Sequence, residues 1–257
     1  MTIIIAVLVT VLGAALGSFF NVLIDRVPRQ ASIVKPPSHC TSCGKSLPAW
    51  QNIPILSYIM LKGKCKFCGA KIHWHHLAVE ILTPVLFLAL LVIYGYDNLS
   101  FYKFAVMFGF LIPIFFIDAF HKIIPLVLSV PMAIAGLLFG LVQSGFRLHD
   151  FLLVYLVPTI AIFGLLYLLA LAWEKIFKKE GLGGGDVVLI PAVAAYFGIL
   201  HIPWVVILAC LLGIIYFLIF IRKPGQVFAF GNFVAAAAVI WALAGESVIN
   251  LISFYPR

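Results

Sequence analysis

Eight long apolar runs separated by short polar segments dominate this sequence and decide what it can fold into. They cover approximately residues 2–24, 77–95, 102–120, 126–144, 151–173, 187–200, 203–221 and 227–245. All but the sixth approach the ~20 residues with which a helix crosses a bilayer. The sixth is short and interrupted by Pro191, so it is expected to be shifted in depth or irregular. The runs are continuous rather than alternating, which excludes a membrane β-barrel. Only 10% of the residues are charged, against ~25% in soluble domains. So few charges cannot cover a soluble surface, which excludes a soluble enzyme, a secreted disulfide scaffold and a disordered chain. The expected fold is an all-α integral membrane protein of about eight transmembrane helices.

Charge sets the orientation. The first run has no basic residue ahead of it and no A-x-A cleavage site, while Arg26 and Arg29 follow it. It therefore reads as a retained span with the amino terminus outside. Alternating the remaining spans puts Arg26, Arg29, Lys35, Lys45, Lys62, Lys64, Lys66, Lys71, Lys122, Lys175, Lys178, Lys179, Arg222 and Lys223 inside. Only Lys103, Arg147 and Arg257 fall outside. That asymmetry follows the positive-inside rule, with both termini outside. It also accounts for the net charge of +8 without a nucleic-acid partner.

One connecting segment is long, residues 25–76, and holds four of the five cysteines. Cys40-Thr-Ser-Cys43-Gly44 and Cys65-Lys-Phe-Cys68-Gly69 repeat a C-x-x-C-G pattern at an offset of 25 residues. Two sulfurs three residues apart can grip one metal from a tight turn, and the following glycine permits left-handed backbone. Two such turns give four thiolates for a closed tetrahedral site, at near the usual zinc spacing. Structural zinc is the expected occupant, and iron in the same geometry stays open. Disulfides would need an oxidising compartment, and a redox C-x-x-C would need a thioredoxin-like context. His39, His73, His75 and His76 stand nearby and read as surface or headgroup residues. Metal should supply much of the stability of so small a loop. Cys210, in the seventh run, reads as a small buried apolar residue.

Nine carboxylates occur in the chain. Asp118 lies in the last turn of the third span, at the negative end of the helix dipole, where a carboxylate is unfavourable. Asp186 follows Gly181-Leu182-Gly183-Gly184-Gly185 and opens the sixth run; alone it reads as a helix N-cap. The third span ends inside and the sixth begins inside, so both aspartates come out near the cytosolic face. Intramembrane carboxylates are functional candidates, and two that share one proton can activate water. Gly183 and Gly185 would let an extended peptide approach Asp186. A phosphate cradle would need G-K-[ST] after a strand, which is missing. Glu80 reads as opening the second span, at that helix's positive end. A proton-coupled transporter with an Asp118/Asp186 relay and a regulatory zinc loop is the alternative. Carboxylates near one face, and no repeat of the two halves, weigh against it.

Several segments together resemble the bacterial type IV prepilin peptidases, or leader peptidase/N-methyltransferases. Gly17-Ser-Phe-Phe-Asn21-Val-Leu-Ile-Asp25-Arg26-Val-Pro28 is similar to that family's opening, and the paired C-x-x-C loop to its cytosolic domain. Val79-Glu80-Ile-Leu-Thr83 resembles the entry to its second span. Ile117-Asp118 and Gly183-Gly184-Gly185-Asp186 match its two catalytic aspartates, the second as G-x-G-D. Phe230-Gly231 resembles its late P-F-G-P element, with Asn232 in place of the final proline. The resemblance implies an aspartic protease of the bacterial inner membrane that cleaves prepilins or pseudopilins after a glycine at the cytosolic face. It further implies N-methylation of the new terminus from S-adenosylmethionine, whose binding residues are not readable. On this reading residues 1–24 are the first span, 25–76 a cytosolic zinc-binding domain, and 77–257 a seven-helix protease core.

Overall fold

Backbone in hydrocarbon must satisfy its own hydrogen bonds, and here the apolar runs become helices. The computed structural model describes residues 2–178, 183–220 and 229–253, with residues 2 and 246–253 described by backbone alone. Helices and no strands occur among them. Six helices are long and apolar enough to cross a membrane by length and composition, and a shorter apolar stretch covers Phe230–Gly245. Lys179, Glu180, Gly181, Leu182, Arg222, Lys223 and Arg257, and the start of the eighth run at Val227, lie outside the described residues.

The chain forms two compact units, Met1–Tyr96 and Asp97–Arg257. The first is built on α1 (Thr2–Arg26), the short α2 (Leu56–Met60) and α3 (Trp74–Tyr94). Small residues let α1 and α3 approach closely: a Cβ on Gly17 would fall 2.9 Å from the Cα of Glu80. The helix α3 starts three residues before the apolar run, because His73 caps it by accepting the His75 N–H. Glu80 therefore sits almost two turns inside α3, which corrects its reading as a helix-opening residue. Its Oε2 instead accepts the N–H of Ile55 at 2.7 Å, holding a loop residue with a positive φ of 66°. His75 is also corrected, from surface to buried, with its Nε2 3.6 Å from Asp25.

The second unit comprises α4 (Leu99–His121), α5 (Leu126–Gln143), α6 (Leu148–Phe151), α7 (Val157–Phe177), α8 (Gly184–Phe220) and α9 (Phe230–Ser253). A π-helical turn, Leu152–Leu156, joins α6 to α7. The first part of α8 is the core, with Leu189, Ala192, Val193, Ala195 and Tyr196 fully buried. Around α8 pack α5, α7 and α9.

The sixth and seventh runs lie on α8, which breaks at Gly198 (φ 67°, ψ 179°). Residues 184–197 rise only about 21 Å as a helix, short of the ~30 Å hydrocarbon core. The irregularity expected at Pro191 falls instead at Gly198, while Pro191 is buried inside the helix. Cys210 is exposed rather than buried. Its helix is apolar all round, so its sequence carries no signal for which side meets lipid.

Gly198 combines a positive φ with tight packing, since a Cβ there would fall 2.9 Å from Val154 Cγ1. Gly198→Ala should therefore destabilise the protein by about 1–3 kcal/mol. Thermal unfolding in detergent should show a clearly lowered midpoint. Gly164→Ala, where a Cβ meets open space, serves as the control and should not lower it.

Candidate functional site

Two constellations carry chemistry, one in each unit. In the first, the two C-x-x-C-G segments fold into the same turn. The Gly44 N–H donates to the Cys40 carbonyl at 2.8 Å, and the Gly69 N–H donates to the Cys65 carbonyl at 2.9 Å. The Cys40 N–H reaches the Lys45 carbonyl and the Cys65 N–H the Ala70 carbonyl, so the match extends past each glycine. Both glycines have φ near 70°, at 71° and 72°, the left-handed region that the turn requires.

All four sulfurs lie within 4.8 Å of one another, and Cys40 and Cys68 are 3.8 Å apart. A tetrahedron with metal–sulfur bonds of about 2.3 Å has sulfur–sulfur edges of about 3.8 Å. A disulfide would need about 2.05 Å, and all four cysteines are free thiols. Backbone N–H groups of Cys43 and Ser42 pull the Cys40 thiol down to about 6. The Ala70 N–H acts on Cys68 in the same sense, but desolvation and the neighbouring thiols push that thiol up to about 11. Crowded thiols cannot all ionise by themselves, and a bound dication would relieve that repulsion. The donor set fits a four-thiolate metal ion.

In the second unit, α9 packs against both α4 and α8. Asp118, from α4, is 4% exposed, and Asp186, from α8, is 8% exposed. Gly185, the neighbour of Asp186, and Gly231, beside Asp118 Oδ2, both border Ile124, so the two carboxylates share one neighbourhood. Asp186 stands in the first turn of α8, which begins at Gly184, and its N–H donates to the Gly183 carbonyl. Its reading as an N-cap is corrected: the residue lies within the first turn, and its Oδ1 is buried without a partner among the described residues.

Asp118 is held by α9. The Asn232 N–H donates to Asp118 Oδ2 at 3.0 Å. With its amide nitrogen turned toward the acceptors around it, the Asn232 side chain donates to the Phe115 carbonyl at 2.7 Å and to the same Oδ2 at 3.2 Å. Ile124 packs beside them. A Cβ on Gly185 would fall 2.6 Å from Ile124 Cβ, and one on Gly231 would fall 2.5 Å from Ile124 Cδ1 and 2.9 Å from Asp118 Oδ2. Gly183 borders the Asp186 carboxylate. Sequence reasoning paired the aspartates but missed Asn232 and Ile124. The Phe-Gly pair ahead of Asn232 was the available signal.

Residues 11–94 match a family profile described as the bacterial peptidase A24 N-terminal domain, and residues 105–218 match the type IV leader peptidase family. The prepilin leader peptidase/N-methyltransferase of Neisseria gonorrhoeae is 31% identical over 96% of this chain and 93% of its own length. The chain belongs to the type IV leader peptidase family. Proteins of the same name from Pseudomonas aeruginosa (31% identical, 92% of this chain, 89% of that protein) and Myxococcus xanthus (39%, 74% and 56%) also match. No solved structure matches. The N-terminal match contains all four cysteines, and the leader peptidase match contains both aspartates. Asn232 lies beyond it.

The thiolate geometry yields a direct expectation. Purified protein should carry about one metal ion per chain, retained at neutral pH and released on acidification as protons compete for the thiolates. Cys40→Ser or Cys68→Ser should lose it, as read by elemental analysis. A metal-free protein with disulfide-linked cysteines would overturn the assignment.

Proposed function

We propose that this chain removes the leader peptide of prepilins or pseudopilins and N-methylates the new terminus. The relatives are named for both activities. The observation that carries the proteolytic half is the burial of Asp118, at the end of α4, and Asp186, at the start of α8, around Ile124. Family membership favours this reading over the proton-coupled transporter.

In the mechanism that fits this geometry, a water lies between the two carboxylates. One carboxylate takes a proton from the water as its oxygen attacks the scissile carbonyl. The other donates a proton to the departing amine, so that the pair ends with its protons exchanged. Asn232 occupies Oδ2 of Asp118 and leaves Oδ1 for that water. Gly183 keeps bulk away from the Asp186 carboxylate, where the extended leader junction would lie, while Gly185 lets Ile124 pack against the start of α8. Cleavage follows a glycine, and the basic leader stays among cytosolic lysines.

The four cysteines Cys40, Cys43, Cys65 and Cys68 hold structural zinc, for which a closed set of thiolates is apt. S-adenosylmethionine supplies the methyl group. The protein crosses the bacterial inner membrane eight times, the break in α8 allowing two crossings from one helix. Both termini are periplasmic, the aspartates lie near the cytosolic face, and residues 25–76 form a cytosolic domain between the first span and a seven-span protease core.

Incubation of purified protein with a prepilin tests this reading. Mass spectrometry should show loss of the leader and gain of one methyl group. Asn232→Ala removes the side-chain donor to Asp118 Oδ2 and should lower turnover severalfold with little change in KM. Equal turnover in the two proteins would remove the Asn232 side chain from the mechanism.

A further inference from the structure

In the first unit the carboxyl end of α1 and the amino end of α3 bring together Asp25, His75 and His76, a group distinct from the four cysteines. His75 Nε2 is 3.6 Å from Asp25 Oδ1, and His76 Nε2 is 3.7 Å from Asp25 Oδ2. The two imidazoles lie against each other, with centroids 4.2 Å apart, and both present Nε2 to the same carboxylate.

Hydrogen bonding assigns the proton of His75. The backbone N–H of His75 donates to His73 Nδ1 at 3.4 Å, so that nitrogen is an acceptor. His75 Nδ1 lies 2.6 Å from the same atom and must be the donor. With the proton assigned to Nδ1, the Nε2 of a neutral His75 holds a lone pair, and it faces Asp25 Oδ1, which is also an acceptor. Two lone pairs facing each other repel unless a cation lies between them. A proton there would draw nitrogen and oxygen to the about 2.7–2.9 Å of a charge-assisted hydrogen bond. Protonating both rings would also set two like charges face to face. A metal ion fits the spacing. Bonds of about 2.0–2.2 Å in a tetrahedron put ligand atoms about 3.3–3.6 Å apart, close to both separations.

The surroundings suit a metal centre. A ligating histidine ordinarily bonds its other ring nitrogen to a neighbour that fixes its tautomer, and His73 does this for His75. Asn21 Nδ2 donates to the His76 carbonyl at 3.0 Å and steadies the second histidine. Asn21 is 5% exposed, and its Oδ1 is buried without a partner among the described residues. All five residues line one cavity of about 570 Å³, which gives an ion a way in and room for a water in the fourth position. Asn21 Oδ1 offers that water an acceptor. Two imidazoles and a carboxylate select a first-row dication such as zinc over magnesium or calcium, which prefer oxygen ligands. The negative end of α1 offsets the positive start of α3 for such a charge.

We propose that Asp25, His75 and His76 form a second metal site, for a dication of the zinc type, which clamps the end of α1 to the start of α3. These points bound the long segment that carries the cysteines, so the clamp closes a large loop and stabilises the unit. Three ligands hold an ion less firmly than four thiolates. This ion is therefore gained on adding zinc and lost on dialysis, whereas the cysteine-bound ion stays.

Full-length, tag-free protein in detergent, dialysed to one ion per chain and then titrated with zinc, tests the site. The wild type should take up a second equivalent saturably, and its thermal midpoint should rise with it. Asp25→Asn and His76→Gln, at half-buried positions, should each weaken the second equivalent about tenfold or more. Both should keep the cysteine-bound ion, which shows that they are folded. Histidine modification by diethyl pyrocarbonate, mapped by mass spectrometry, needs no variant. The second equivalent should protect His76 and leave the exposed His149 reactive. No second equivalent, a second equivalent bound equally by both variants, or protection of His149 instead of His76 would overturn the site.

Discussion

The side chain of Ile124 fills the space left open by two glycines, Gly185 ahead of Asp186 and Gly231 ahead of Asn232. A side chain at either glycine would collide with it and push the start of α8 or α9 away from the end of α4. That close packing keeps Asp118, Asp186 and Asn232 at one place. Interiors are packed as densely as organic crystals, so a displacement of one methyl group here is felt by the carboxylates. Reaction geometry tolerates such displacement poorly, since about 1 Å of misplacement can cost a hundredfold in rate.

Burying two carboxylates together is unfavourable unless the surroundings compensate. For Asp118 the compensation is visible: two N–H groups of Asn232 converge on one oxygen. For Asp186 it is not, and Oδ1 stays without a partner among the described residues. The asymmetry suits two groups with unlike tasks, one fixed and one left to meet water and substrate.

Much of this was legible in the sequence, for identifiable reasons. Apolar runs become helices because hydrocarbon leaves the backbone no other option. The repeated C-x-x-C-G pattern specifies its own turn, and Gly44 and Gly69 adopt the left-handed backbone that the spacing implies. Asp118 and Asp186 stand out because carboxylates are rare in such runs. The remainder depends on contacts between distant residues. Asn232 reaches Asp118 through its backbone N–H and its side chain across more than a hundred positions, and only the Phe-Gly pair ahead of it hints at the contact. His75 meets Asp25 across 50 positions, and Glu80 serves Ile55 rather than its own helix end. The break at Gly198 is a matter of φ, which an apolar run does not encode visibly. Cys210 was misassigned as buried because its whole helix is apolar, so nothing in the sequence marks which side it faces.

The central claim is that Asp118 and Asp186 act as one catalytic unit. Cleavage of one purified prepilin by Asp118→Asn, Asp186→Asn and the double variant, measured as residual rates at equal protein and equal metal content, tests it most directly. If the two carboxylates work as a pair, each single change abolishes the paired mechanism, and the double variant is no slower than either single one. Substantial cleavage by either single variant, or losses that multiply in the double variant, would contradict it.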